Sequence, residues 1–290
     1  MEMQSYRKRS RISFPKLMAI IIAVAAALLV IALAVAYMCG VRYITSETGD
    51  GLKVRFFGTV DSDGNPKSGM LSYSDGKTGK ITEDGSITYS SGDVYTGELE
   101  GMLKHGKGKL TGANGDVYEG EFAYDVINGT GILTASGNTF EGSFVDGKFD
   151  GEGVYTSSSG EVYTGSFKEG KRHGSGTTVY ANGDTYTGTY TENMKNGEGT
   201  YKWSSGDSYE GSYVNDVREG YGTYIWANGE MYTGEWKDNY MNGEGTFTWP
   251  SGRVYTGHFE NGVIVRTDGT TDGDAADEGS TDESTPTPEV

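Results

Sequence analysis

Cysteine is almost absent. Cys39 is the one thiol in 290 residues, which rules out an intrachain disulfide framework and a thiolate metal cluster. Proline is scarce, at 5, beside 47 glycines. A glycine excess with so little proline and no three-residue period excludes collagen. Basic residues are few, 24 against 41 acids, for a formal net charge of -17. Five of those 24 lie in residues 1–16 (Arg7, Lys8, Arg9, Arg11, Lys16), leaving 19 basic and 40 acidic residues for the rest. A surface this acidic repels nucleic acid and anionic head groups.

What is present is glycine with tyrosine. The 21 tyrosines supply burial area that a disordered chain lacks. The combination predicts many short strands joined by tight turns.

Leu17 to Cys39 runs without a charge. As a helix, at about 1.5 Å per residue, it reaches roughly 35 Å and crosses a bilayer core. Leu17, Ile21, Leu28, Leu33 and Met38 mark the predicted anchor. The basic cluster before it places residues 1–16 in the cytoplasm and the rest outside, on the cell surface side of a single-pass cell membrane protein. A signal peptide cut after Ala36, at Ala34-Val35-Ala36, is the rival. Its apolar region would be longer than the usual ~7–15 residues. Lipid modification of Cys39 is disfavoured by the bulky Tyr37 and Met38 before it.

Self-comparison reveals an internal repeat. An aromatic followed two residues later by glycine recurs at Tyr95, Tyr118, Phe140, Tyr163, Tyr186, Tyr209, Tyr232 and Tyr255. The period is 23 residues, with one interval of 22 between Tyr118 and Phe140. Each unit reads as a strand (Asp184 to Tyr190), a polar turn (Thr191 to Asn196), a second strand (Gly197 to Trp203) and a closing turn. Asn-Gly or Ser-Gly recurs at the closing turn, as in Asn182-Gly183 and Ser205-Gly206, and suits a tight hairpin. Alternation puts Tyr186, Gly188 and Tyr190 on one face and Thr185, Thr187 and Thr189 on the other. The face is therefore aromatic plus glycine, with room for neighbouring rings to lie over the backbone. One hairpin cannot bury it, so the units must stack.

Tyr232-Thr233-Gly234-Glu235-Trp236 followed by Asn242-Gly243-Glu244-Gly245-Thr246-Phe247 resembles a MORN repeat, and the resemblance extends in register from about Gly92 to Val263. It implies an all-β, elongated ribbon of antiparallel hairpins that serves as a scaffold, a dimerisation module or a membrane-proximal linker, and it implies no catalysis. The expected organisation is a basic N-terminus (1–16), a transmembrane α-helix (17–39), a linker (40–55), degenerate repeats (56–91, with Phe57-Gly58 and Thr78-Gly79 as decayed motifs), the repeat ribbon (92–265) and an acidic, disordered tail (266–290).

Little chemistry is on offer. His105 and His173 hold one turn position about three units apart, too far to share a metal, and His258 belongs to a polar face. Asp61-Ser62-Asp63-Gly64-Asn65 begins like a calcium loop but has Pro66 at the sixth position and Ser72 at the twelfth. Gly-Asp pairs at Gly92, Gly115, Gly183 and Gly206 either line up carboxylates for weak calcium binding or are soluble turns. No phosphate loop and no nucleophile–base pair is present. The sequence predicts no enzyme and no cofactor.

One position breaks the symmetry. Four residues after the second glycine of Gly-x-Gly, the units read Gly112, Ala135, Ser157, Tyr180, Trp203, Trp226 and Trp249. With Trp236, Tyr201, Tyr224 and Phe247 nearby, the C-terminal third carries a candidate binding face. Two readings stand for it: end packing, or an exposed strip that stacks on sugars or docks a partner. Scaffolding of a protein partner or of a second copy leads, and cell-wall or carbohydrate binding is the alternative.

Overall fold

The computed structural model describes residues 14–265 and 271–272. The basic N-terminus and nearly all of the acidic tail therefore lie outside the described residues. One helix, α1 (Phe14–Met38), precedes 22 strands that form a single sheet. Each strand pairs antiparallel with its sequence neighbours, so the sheet is a meander throughout. At about 4.8 Å per strand its contour runs on the order of 100 Å.

The helix is uncharged along nearly its whole length, and the part whose side chains are described is uncovered except at its last turn, where Arg42 meets Tyr37. Ile21, Leu28, Leu33 and Met38 are 51%, 61%, 61% and 76% exposed. A core helix would be covered; this one is apolar all round, as membrane spans are.

The segment expected to be a linker is not one. Only Cys39 and Gly40 separate α1 from β1 (Val41–Glu47), and β2 (Lys53–Val60) pairs with β1 over its whole length. Polar spacing hid the pattern, because only Val54 and Phe56 of these residues reach the core fully. The first decayed motif is also one residue out. Phe56 is buried with 0% exposure, while Phe57 is 62% exposed. Phe56-Phe57-Gly58 is thus the aromatic-x-glycine triplet. The next strands are β3 (Pro66–Tyr73), β4 (Thr78–Ile81) and β5 (Ile87–Tyr89). β4 and β5 are too short to pair along a full ribbon width, and the sheet curls at this pinch. The curl brings the β1–β2 turn onto a turn far along the ribbon, where Gly49 N–H donates to the Tyr124 carbonyl at 2.7 Å.

Beyond the pinch the hairpins repeat. β14 (Thr185–Thr191) and β15 (Met194–Lys202) make one, and β16 (Ser208–Val214) and β17 (Val217–Ile225) the next. The polar turn is tighter than the sequence suggested. It consists of Glu192 and Asn193, both at positive φ (54° and 73°), and the strand resumes at Met194. Two successive positive φ values define the turn whose twist matches a hairpin. Most of the Asn-Gly and Ser-Gly turns have positive φ at glycine only, as at Gly206 (102°), and Ser136-Gly137 has it at both residues (50° and 81°). They close through Gly206 N–H to Trp203 O and Trp203 N–H to Asp207 O, each at 3.0 Å. His105 and His173 sit inside second strands, β7 (Leu103–Thr111) and β13 (Lys171–Val179), and not in turns.

Successive units are clamped at both margins. At one margin, Asp216 N–H donates to Lys195 O at 2.9 Å while Asp216 Oδ1 accepts from Lys195 N–H at 2.8 Å. Asp125 with Lys104 and Asn193 with Arg172 repeat this two-point contact. At the other margin Asp93, Asp116, Asp184 and Asp207 accept from a backbone N–H twenty residues ahead. These are the carboxylates of the Gly-Asp pairs. They act as inter-unit clamps, a role that neither reading of the motif had assigned. The Asp61 loop is likewise a hairpin turn, with Asp61 Oδ1 accepting from Asp63 and Asn65 N–H at 2.9 and 2.8 Å.

Candidate functional site

The aromatic face contains two ladders of rings. The inner one is built from the first aromatic of each unit and the residue four after it. Tyr186 lies edge-on to Tyr190 (5.3 Å, 84°) and to Tyr213 of the next unit (5.3 Å, 88°). The same contact continues without a break from Tyr95 to Phe259. Edge-to-face geometry at these distances is favourable beyond area burial alone. Each first ring lies over its own strand's glycine and the glycine paired with it. A Cβ on Gly188 or Gly199, which face each other, would come 2.4 Å from the Tyr186 hydroxyl. That hydroxyl donates to Thr189 O at 3.2 Å. The glycines thus make room mainly for their own unit's ring.

The outer ladder follows the closing turns of the C-terminal third. It runs Tyr180–Tyr201 (5.7 Å), Tyr201–Trp203 (4.4 Å), Trp203–Tyr224 (5.1 Å), Tyr224–Trp226 (4.5 Å), Trp226–Phe247 (5.4 Å) and Phe247–Trp249 (4.7 Å). Six of the seven predicted face residues are therefore brought together. Trp236 is not among their strip. It belongs to the inner ladder, 5% exposed, with Nε1–H donating to Gly222 O at 3.1 Å. Tyr224 and Phe247 are also buried, at 7% and 1%. These three pack the core and offer no stacking surface. Tyr201, Trp203, Trp226 and Trp249 are half-buried and keep an accessible edge.

Between the ladders lies a column that sequence reading missed. It is the ninth residue after each first aromatic: Lys104, Ile127, Phe149, Arg172, Lys195, Arg218 and Met241. The register carries the signal, but Lys195 lies in the segment that reads as a polar turn, Thr191 to Asn196. Lys104 bonds Asp125 at 3.2 Å and Arg172 pairs with Glu161. Among the described residues Lys195 has no carboxylate partner within salt-bridge reach; its Nζ lies 5.0 Å from the Tyr201 ring and 5.6 Å from Tyr186 and Tyr213. The Arg218 guanidinium lies 4.7 Å from Trp236 and 5.3 Å from Tyr224, and Nη2 donates to Asn239 O at 3.0 Å. Burial pulls both cations below their usual pKa, against the nearby Asp216 carboxylate for Lys195 and the Tyr213 and Tyr224 phenols for Arg218. Ring faces supply part of the solvation these charges lose.

The histidines stay apart from any such cluster. His258 faces Glu244 at 3.1 Å on the exposed face, and His105 lies 3.3 Å from Glu100 and against Tyr124. Among the described residues no group of three His, Cys, Asp or Glu side chains is arranged to hold a metal.

The MORN-repeat model matches seven consecutive segments: 95–117, 118–139, 140–162, 163–185, 186–208, 209–231 and 232–252. These cover more than half of the chain. The protein belongs to the MORN-repeat family. The matched boundaries begin at each first aromatic of the inner ladder, so the MORN unit and the structural unit coincide. No curated protein matches the chain. Among solved structures, the TCP10 domain of Danio rerio CPAP is 11% identical, with 74% of this chain and 94% of that one covered and a TM-score of 0.26. The SAS-4 TCP domain of Drosophila melanogaster, in complex with a proline-rich motif of Ana2, is 12% identical (76% and 90% covered, TM-score 0.28). At these TM-scores neither likeness bears on this chain.

Proposed function

We propose that this MORN-repeat chain is a membrane-anchored, non-catalytic interaction ribbon, displayed outside the cytoplasmic membrane, that holds a protein partner or a second copy of itself. The observation that carries this reading is the join between α1 and the sheet. An uncovered apolar helix passes within two residues into a continuous hairpin ribbon. Such an object positions things at a membrane. The polar groups along the ribbon are spent on clamps and turns, which favours holding over catalysis. The accessible edges of Tyr201, Trp203, Trp226 and Trp249, with Lys195 beneath, form the contact strip.

Half-buried tryptophan edges in a row also suit sugar rings, which keeps cell-wall glycan as the second reading. Both are tested with the full chain in detergent, since a fragment starting at residue 43 would cut into β1. A photo-crosslinking residue at Trp249 should yield a heavier protein adduct in intact cells. Absence of any adduct there, and at Trp226, contradicts the protein-holding reading. Pelleting with insoluble wall material, lost in a folded Trp203→Ala/Trp226→Ala/Trp249→Ala variant, would move the assignment to glycan.

A further inference from the structure

The ribbon's outward face is mixed: Ile132, Val154 and Tyr221 are exposed on it, each directly across from a glutamate (Glu141 or Glu235), whereas the N-terminal end carries an apolar row with no acid in it. The residue between the aromatic and the glycine of each triplet points outward. In the repeats it is Thr96, Glu119, Glu141, Thr164, Thr187, Glu210, Thr233 and Thr256. In the first unit it is Phe57, which is 62% exposed. Its direct cross-strand partners are Tyr43 on β1 and Met70 on β3, at 64% and 51% exposure. Directly opposite residues share a face within about 4.5–5.5 Å, so the three make one apolar row across the strands. None of them is needed by the core, which lies on the other face at Val54, Phe56 and Leu71.

The charges around the row depart from the rest of the protein. Lys80 follows Met70 in the same row. Arg55 and Lys53 occupy the next outward positions on β2, and Glu47, opposite Lys53, is the one acid facing outward on β1–β4. Three cations to one anion is a local reversal in a chain of net charge -17.

The row also sits beside the helix. α1 ends at Met38, five residues before Tyr43, which places the row within roughly 17 Å of the helix end at full extension. The junction is tied down. Arg42 Nη1 donates to Tyr37 O at 2.7 Å, its guanidinium stacks 3.8 Å over the Tyr37 ring, and Val60 N–H donates to Gly40 O at 3.1 Å. Tyrosine beside arginine at the end of an apolar helix is the composition of a membrane interface.

We propose that the outward face of β1–β3 lies on the bilayer, with Tyr43, Phe57 and Met70 in the head-group region and Lys53, Arg55 and Lys80 on lipid phosphates. The row is aromatic and apolar, basic-flanked and continuous with the helix, and each feature matches a lipid interface better than a soluble partner. The face fixes how the ribbon leaves the membrane, because it removes the freedom of a helix on a swivel. It rests on the anchor reading for its location.

The test uses the full chain with Cys39→Ser in nanodiscs of phosphatidylglycerol and phosphatidylcholine. Single nitroxide labels are placed by Phe57→Cys, Tyr43→Cys, Thr187→Cys and Leu28→Cys. Collisions with oxygen, which partitions into lipid, are compared with collisions with a water-soluble nickel chelate. The expected oxygen-to-nickel ratio at Phe57 and Tyr43 is several-fold above that at Thr187. A ratio at both sites equal to that at Thr187 overturns the proposal. Leu28 reports the anchor separately, so a water-like Leu28 defeats the anchor reading whatever the face does.

Discussion

Gly199→Ala destabilises the ribbon by about 3 kcal/mol, at the upper end of the range for overpacked cores. The cause is the Tyr186 ring. A Cβ at Gly199 would lie 2.4 Å from its hydroxyl, 2.5 Å from Cε2 and 2.6 Å from Cζ. The ring has nowhere to retreat. Tyr190 and Tyr213 meet it edge-on at 5.3 Å, and its hydroxyl is tied to Thr189 O. Tyr186→Phe removes only that hydrogen bond and costs about 1 kcal/mol. The order of effects separates ring-over-glycine packing from a general intolerance of the strand. Urea unfolding of the two variants checks it, and an alanine no more costly than the phenylalanine would contradict the packing described.

Alkali unfolds the ribbon in a window set by the same ladder. Burial pushes the phenols of Tyr118, Tyr163 and Tyr209 up to about 12 from a usual 10. Burial also raises Tyr95, Tyr186 and Tyr232. Their protons are held more tightly in the folded chain than in the unfolded one. The resulting stability is fully present below pH 10 and falls as pH rises through the folded values. Because the units stack in one row, loss in one ladder position exposes the next. Circular dichroism against pH should show the β signal collapsing between about pH 10 and 12. An intact sheet above pH 12 would show that these rings are not buried as described.

The repeat was legible because its period is long, fixed and marked by aromatics and glycines that few other arrangements use together. Strand pairing and the aromatic face followed from alternation. The β1–β2 hairpin was not legible, since Thr45, Ser46 and Glu47 read as a polar connection and only its partner strand shows why they are extended. Trp236 illustrates a second limit. It stands four residues after Tyr232, in phase with Tyr190 and Tyr213, and that phase assigns it to the inner ladder; grouping tryptophans by residue type placed it on the strip. Lys195 falls within the segment that reads as the polar turn, Thr191 to Asn196, and Arg218 holds the same position one unit on. Their burial depends on rings from adjacent units, which only the three-dimensional stacking brings together.

The reading of this chain as a membrane-tethered ribbon facing outward is tested most directly by thiol labelling of intact cells. With Cys39→Ser as background, Thr187→Cys on the ribbon and Ser5→Cys before the helix are treated with a membrane-impermeant maleimide, and the labelled protein is followed into carbonate-washed membranes. The expected result is a labelled Thr187→Cys chain of full length in the membrane fraction and an unlabelled Ser5→Cys chain until the cells are opened. A Thr187→Cys chain that labels only after lysis, or that leaves the membrane without its helix, would contradict the account.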